Sequence, residues 1–196
     1  MHNDISTLTI TGPLDLNRVF ATSDHHFGSY RLSSFFQVCT KDQELELVAK
    51  WNSIVGKKDI VYYNGDFCDA PILDLCHYVE QLNGQIILVR GNHDKFDTAI
   101  YKEIFQSVVD EIAIPYLNIV MHHCPVESPK FKYEIFGHLH RRDEWKNVNR
   151  LPNKFCSCVQ ANNGYPVSLA NIMQYFKQQT CQEDCLQERM SIGRLQ

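Results

Sequence analysis

The stretch Gln85–Asp94 reads QIILVRGNHD, four consecutive apolar residues that run into arginine, glycine, asparagine, histidine and aspartate. An apolar run with no polar face is the pattern of a strand buried on both sides, at the centre of a sheet. Working outward, Val19–Ser23 and Asp59–Asn64 are further short runs of this kind, and each also stops on polar residues. Between them, Lys41–Val55 sets Leu45, Val48, Trp51 and Ile54 or Val55 at helical spacing, and Gly56 ends it. Pro71 opens a second helix, with Ile72, Leu75, Cys76, Val79 and Leu82 on one face and Asn83-Gly84 as its stop. The early part of the chain is thus β-α-β-α-β.

The rhythm then changes. Val108–Ile114, Leu117–His122 and Glu134–Phe136 are predicted short strands, with a turn around Pro115. Arg141 to Lys154 is polar and basic and reads as a loop, and Cys158–Gln160 as a last strand. Ser168 is placed to cap a helix carrying Leu169, Ile172, Met173 and Phe176. Beyond Thr180 the chain is polar, as a frayed helix or a mobile tail would be. The pattern predicts an α/β protein of two packed sheets flanked by helices. Its boundaries are a single domain over residues 1–180, a core over about 19–176 and a polar tail over 181–196.

Composition narrows the function classes. The chain has 196 residues, of which 44% are hydrophobic, enough for one sizeable core. Charged residues of both signs are mixed, and the formal net charge is -4, so a field gathering nucleic acid non-specifically is not expected. No apolar run approaches the roughly 20 residues that span a bilayer. The start of the chain has neither the basic head nor the apolar core of an export signal. The eight cysteines are therefore expected to be reduced thiols of a cytoplasmic protein. Cys156-x-Cys158 and Cys181-x-x-x-Cys185 lack the paired spacing of a structural zinc site.

Histidine and aspartate gather in five places, each just after a predicted strand: Asp24-His25-His26, Gly65-Asp66, Gly91-Asn92-His93-Asp94, His122-His123, and Gly137-His138-Leu139-His140. Strand ends on one rim of a sheet are where open α/β proteins hold ligands. Turns call for glycine, asparagine and aspartate, but not for pairs of histidines. Imidazole and carboxylate together suit divalent Mn, Fe, Ni, Co or Zn, and no cysteine falls within the five motifs. A carboxylate such as Asp66 is suited to bridge two cations about 3.5–4 Å apart, as in two-metal hydrolases.

The series Asp24-x-His26, Gly65-Asp66-x-x-Asp69, Gly91-Asn92-His93-Asp94, His123 and Gly137-His138-x-His140 resembles the calcineurin-like metallophosphoesterases. More narrowly, Ser23–Gly28 (SDHHFG), Trp51-Asn52, Gly65–Phe67 and Arg90–Asp94 resemble the small single-domain phosphoesterases of bacteria and bacteriophages. The resemblance runs from about Val19 to Phe176. It implies an αββα sandwich of two mixed sheets and a hydrolase that splits phosphodiesters or phosphomonoesters with a water activated between two divalent metal ions, such as manganese. One ion would be held by Asp24, His26 and His140, with Asp66 bridging, and the second by Asp66, Asn92, His123 and His138. His93 would protonate the leaving group, and Asp94 would orient His93 through a hydrogen bond. In the relatives the fourth ligand lies two residues before a proline, which favours His123, before Pro125, over His122. Adjacent residues of a strand face opposite sides, so only one of the two can serve.

Around these residues, Asp69 is expected to cap the helix opened by Pro71, with an acceptor role near the site as the alternative. His25 is expected to face solvent, Trp51 to lie in the core, and Cys68 and Cys124 to fill space beside the motifs. Arg31 and Arg141 are candidates for gripping substrate phosphate. Arg142, Lys146, Arg150 and Lys154 extend a positive stretch that supports nucleic acid only weakly, since few aromatic residues interleave it. Many of the relatives carry a histidine where Ser29 stands. The expected partner is a small phosphate ester of nucleotide type. A nuclease is the alternative, and a protein-binding scaffold is disfavoured by the presence of His93.

Overall fold

Successive side chains of a strand point to opposite faces, and that alternation divides most of the described interior between two large cores, with a small third cluster around Phe136, Cys156 and Cys158. The computed structural model describes residues 6–29, 41–126, 130–140 and 153–192, with side chains through residue 180. The elements are β1 (Thr7–Thr9), β2 (Val19–Thr22), α1 (Lys41–Ile54), β3 (Ile60–Tyr63), α2 (Ile72–Gln81), β4 (Gln85–Val89) and α3 (Thr98–Ile104). They continue with β5 (Ser107–Val109), β6 (Glu111–Ile114), a 3₁₀ turn (Pro115–Leu117), β7 (Ile119–His122), β8 (Tyr133–Phe136), β9 (Lys154–Cys156), β10 (Val167–Ser168) and α4 (Leu169–Ile192).

Two mixed five-stranded sheets result, in the orders β10-β2-β3-β4-β5 and β1-β6-β7-β8-β9. In the first, β2 to β5 are parallel and β10 is antiparallel to β2. In the second, only the β6–β7 pair is antiparallel. Phe20, Val61, Tyr63, Ile86, Leu88 and Val108 form one core with Leu47 and Trp51 of α1, Leu75 of α2 and Tyr101 of α3. Their strand neighbours Val19, Ala21, Tyr62, Val89 and Val109 turn the other way. These meet Ile112, Ile119, Met121 and Ile135 of the second sheet, and Leu169, Ile172 and Phe176 of α4. The predicted α/β sandwich of two packed sheets is the fold observed.

Several details differ from the sequence reading. Val108–Ile114 is not one strand: exposed Asp110 separates β5 from β6, which belong to different sheets. The predicted strand at Cys158 lies earlier, at Lys154–Cys156, and Cys158 only bridges to Ser23. Strand β1 and helix α3 are too short to give a periodic signal. Ser168 stands at the start of α4, where its Oγ accepts the Asn171 N–H at 3.3 Å, and the helix continues to Ile192. No described helix is long and apolar enough to cross a membrane.

Lys154 does not extend a basic surface. It is buried on β9 and pairs with Glu134 of β8, which is buried too. The pair holds one backbone unit from both sides: Glu134 accepts the Val126 N–H, and Lys154 donates to the Val126 carbonyl at 3.0 Å. Removing one partner strands the other charge away from water. Glu134→Ala is therefore expected to cost about 3–5 kcal/mol in urea unfolding, and the double change Glu134→Leu with Lys154→Met to recover most of it.

Candidate metal centre

Loops leaving the C-terminal ends of β2, β3, β4, β7 and β8 meet along one rim, and backbone hydrogen bonds fix how they meet. The Asp24 N–H donates to the Gly65 carbonyl at 3.0 Å and the His26 N–H to the Asp66 carbonyl at 3.2 Å, joining the loops after β2 and β3. Within the second sheet the Gly137 N–H donates to the His123 carbonyl at 2.8 Å, and across the sheets the His138 N–H reaches both oxygens of Asp24 at 3.0 Å. Two glycines are required by this closeness. A Cβ on Gly91 would overlap Asp66, and one on Gly137 would lie 2.6 Å from Asp24 Oδ2. Asp24, His26, Asp66 and His138 hold left-handed backbone, with φ of 62°, 47°, 59° and 70°. Such conformations cost non-glycine residues on the order of 1 kcal/mol or more each, and they concentrate where a site dictates the geometry.

The side chains form two adjoining groups. Asp24, His26, Asp66 and His140 each offer a ligand atom, all within 4.8 Å of one another. His26 Nε2 lies 3.2 Å from His140 Nε2, and His140 Nε2 lies 3.3 Å from Asp24 Oδ1. In the second group His123 Nε2 is 2.8 Å from Asn92 Oδ1 and 3.2 Å from His138 Nδ1, which is itself 3.0 Å from Asn92 Oδ1. Asp66 Oδ2 stands between the groups, 3.5 Å from His26 Nε2 and 3.2 Å from His123 Nε2.

This donor set fits divalent cations. Asp66 Oδ2 is buried and makes no hydrogen bond at an acceptable angle, although two imidazole nitrogens converge on it. A buried carboxylate oxygen without a hydrogen bond, with imidazole nitrogens crowded 3.2–3.5 Å around it, is a donor set that could hold a cation. Electrostatics point the same way. Burial would raise the Asp66 carboxyl, but His123, the His93 N–H and His26 together hold it down at about 2. Burial would also lower His123, yet Asp66, Asp24 and the Asn64 carbonyl carry it up to about 9. His140 is pushed down by burial, as suits a neutral ligand.

Of the two adjacent histidines, His123 turns its ring into the site and His122 sits beside Glu111 and Glu134 on the other face of the sheet, at 3.5 and 3.6 Å. Cys124 lies near His123 and His138 but is exposed. The partner expected for His93 requires correction. Both Asp94 oxygens are taken by backbone N–H groups of Asp66, Phe67 and Gly91 at 2.7–3.1 Å, so its carboxylate braces the two loops. The carboxylate beside His93 is Asp69, whose Oδ1 is 3.3 Å from His93 Nδ1 and whose Oδ2 is 2.9 Å from His26 Nδ1. Asp69 is therefore not a helix cap; Pro71 occupies that position without a side-chain cap bond.

His25 is buried, not solvent-facing. Its backbone N–H donates to the Tyr63 hydroxyl, its Nδ1 lies 2.7 Å from that oxygen, and its ring packs against Phe27 and Trp51. Burial, with the nearby His26, pushes it down to about 3, so it is neutral. Trp51 is in the core as expected. The five described cysteines are free thiols. Arg31, Arg141, Arg142, Lys146 and Arg150 lie outside the described residues.

The two-sheet sandwich brings aspartate, asparagine and histidine donors together at its strand ends, in groups that could hold metal ions. The sequence pattern of the calcineurin-like phosphoesterases matches residues 17–126, more than half of the chain, and the chain belongs to that family. An uncharacterized protein of Methanocaldococcus jannaschii, MJ1445, is 28% identical over 169 residues, covering 80% of this chain and 89% of that one. The gene 66 protein of Mycobacterium phage D29 is 24% identical over 148 residues, covering 66% and 74% respectively. A solved structure from Aquifex aeolicus, the protein of unknown function AQ665, shares the fold with a TM-score of 0.67 at 24% identity, covering 80% of this chain and 97% of that one.

A cation bound through His123 would displace the proton that this residue holds up to about 9. In the metal-free protein that proton's contact contributes full stability below the ordinary histidine value of about 6.5 and is lost as the pH rises through about 9. Metal uptake runs the other way: apparent Mn²⁺ affinity is expected to rise by up to about tenfold per pH unit over the same interval, one proton being released per ion at that ligand. Calorimetry in buffers of different ionisation enthalpy measures both quantities. His123→Ala should abolish this proton release, and His122→Ala should leave it unchanged.

Proposed function

We propose that the protein is a two-metal phosphoesterase that hydrolyses a phosphodiester or phosphomonoester of a small, nucleotide-like molecule. The observation that carries this reading is the place of Asp66 Oδ2: buried, unsatisfied and between two groups of donors, with His93 alongside. Asp24, His26, His140 and Asp66 would hold one cation, and Asp66, Asn92, His123 and His138 the other, from Mn, Fe, Ni, Co or Zn. Bound there, the cations would supply Lewis acidity to the phosphoryl oxygens and a bound water acidic enough to react near neutral pH.

The chain's own residues supply positioning and a proton. The His93 N–H donates to Asp66 Oδ1 at 2.7 Å, which ties the histidine's backbone to the central carboxylate. The carboxylate of Asp69, 3.3 Å from His93 Nδ1, orients the ring and leaves Nε2 to give its proton to the departing oxygen. Asp69 therefore acts as the partner of His93, and Asp94 as the brace that fixes the loops on which both stand. Arg31 and Arg141 are proposed to grip phosphate from flanking segments. A small substrate is favoured over nucleic acid by the formal net charge of -4.

The test is turnover of bis(p-nitrophenyl) phosphate, p-nitrophenyl phosphate and 2′,3′-cyclic nucleotides by protein loaded with Mn²⁺, Ni²⁺ or Co²⁺. His93→Ala should lower kcat by roughly 10²–10⁴ without lowering metal content, and Asp69→Asn should lower it in the same direction. Asp94→Asn should act chiefly on stability. Hydrolysis of nucleic acid alone would replace the small-substrate reading with a nuclease, and no turnover with any of the three metals would overturn the enzymatic one.

A further inference from the structure

One buried group that the proposed chemistry does not use is aimed at a residue that it does. Cys158 follows β9 and bridges to Ser23, so it lies where the end of the second sheet meets the first motif strand. Its backbone is pinned on both sides. The Ser157 N–H donates to the Phe136 carbonyl at 2.8 Å, and the Val159 N–H to the Ser23 carbonyl at 3.1 Å. Both Cys158 and Asp24 are 0% exposed, and the thiol donates to Asp24 Oδ2 at 3.0 Å. At that distance in a dry interior a proton must stand between sulfur and oxygen, since two negative charges would otherwise face each other unscreened.

The two oxygens of Asp24 consequently have different surroundings. Oδ2 receives the thiol and packs against Gly137, with no room for a Cβ there. Oδ1 faces the imidazole of His140 at 3.3 Å. The His138 N–H is shared between them at 3.0 Å and so does not distinguish one from the other. The thiol does.

We propose that Cys158 is a positioning residue for the metal centre: its S–H occupies Oδ2 of Asp24 and leaves Oδ1 as the single oxygen offered to a cation. The sulfur itself stays outside the coordination sphere, as a donor to a ligand. This inference rests on the reading of Asp24 as a ligand. It adds that the binding strength of the Asp24 group depends on a hydrogen-bond donor arriving from the opposite sheet. Partners of this kind typically change metal affinity by about 10–100-fold when removed.

Three variants and three measurements test it. Cys158→Ser keeps a donor, Cys158→Ala removes it, and Cys158→Val removes it while filling the space, so that a cavity in the alanine variant cannot mislead. Mn²⁺ titration calorimetry is expected to show a loss of about 10–100-fold in Ala and Val and at least partial rescue in Ser, with all three variants folded in chelator by circular dichroism. Co²⁺-loaded wild type should show no thiolate charge-transfer band that Cys158→Ala removes. Such a band would make Cys158 a ligand and overturn the proposal. Equal Mn²⁺ affinity in wild type and all variants would overturn it while leaving the metal centre standing. Wild-type protein that takes up no Mn²⁺ would overturn the metal-centre reading and this inference together.

Discussion

Asp66 carries its carboxylate at 1% exposure, on left-handed backbone, with one oxygen bound to the His93 N–H and the other facing two imidazole nitrogens. A charge so placed can be tolerated only if its surroundings supply positive charge or donors, because burial without them costs several kcal/mol. Much of the nearby construction serves that requirement. The Asp66 N–H is held by Asp94, the loop after β2 is bonded to the Asp66 carbonyl, and Gly91 is bare so that the side chain fits. Four of the six described non-glycine residues with left-handed backbone, Asp24, His26, Asp66 and His138, cluster around the same point. The sandwich provides strand ends firm enough to maintain these unfavourable backbones.

The parts of the site legible in the sequence are those that depend on local order. A strand fixes where its last residue lies, so a histidine or aspartate just beyond it is placed by the strand. Five such placements could be read together from Asp24 to His140. His123, favoured through resemblance by the proline two residues on, faces Asn92 and Asp66, and His122 lies on the opposite face, as alternation requires.

What the sequence did not disclose depends on which distant group a side chain meets. Asp69 has the composition of a helix cap and sits in a cap's position relative to Pro71, but His26 and His93 lie within its reach and compete better for its oxygens. Asp94 is adjacent to His93 in sequence and still turns away, because three backbone N–H groups form a tighter cradle than one imidazole. His25 looks like a loop residue until Tyr63 and Trp51, from different elements, are seen to enclose it. Lys154 belongs to a basic stretch by composition and to a buried ion pair by register, since β8 and β9 place Glu134 opposite it. Asp110 turns the chain from one sheet to the other, and neither flanking run carries a stop signal stronger than this single residue.

That crossing at Asp110 has a consequence for the order of events when the chain folds. Everything N-terminal to it on the site, from Asp24 to His93, stands on one sheet, and His123, His138 and His140 stand on the other. The full donor set therefore exists only when the two sheets are docked. An ion seated among them would act as a rivet through both layers. Where docking of the sheets follows the folding transition state, it would slow their separation far more than it hastens their meeting, because an interaction absent from that state lowers the unfolding rate and leaves the folding rate almost untouched.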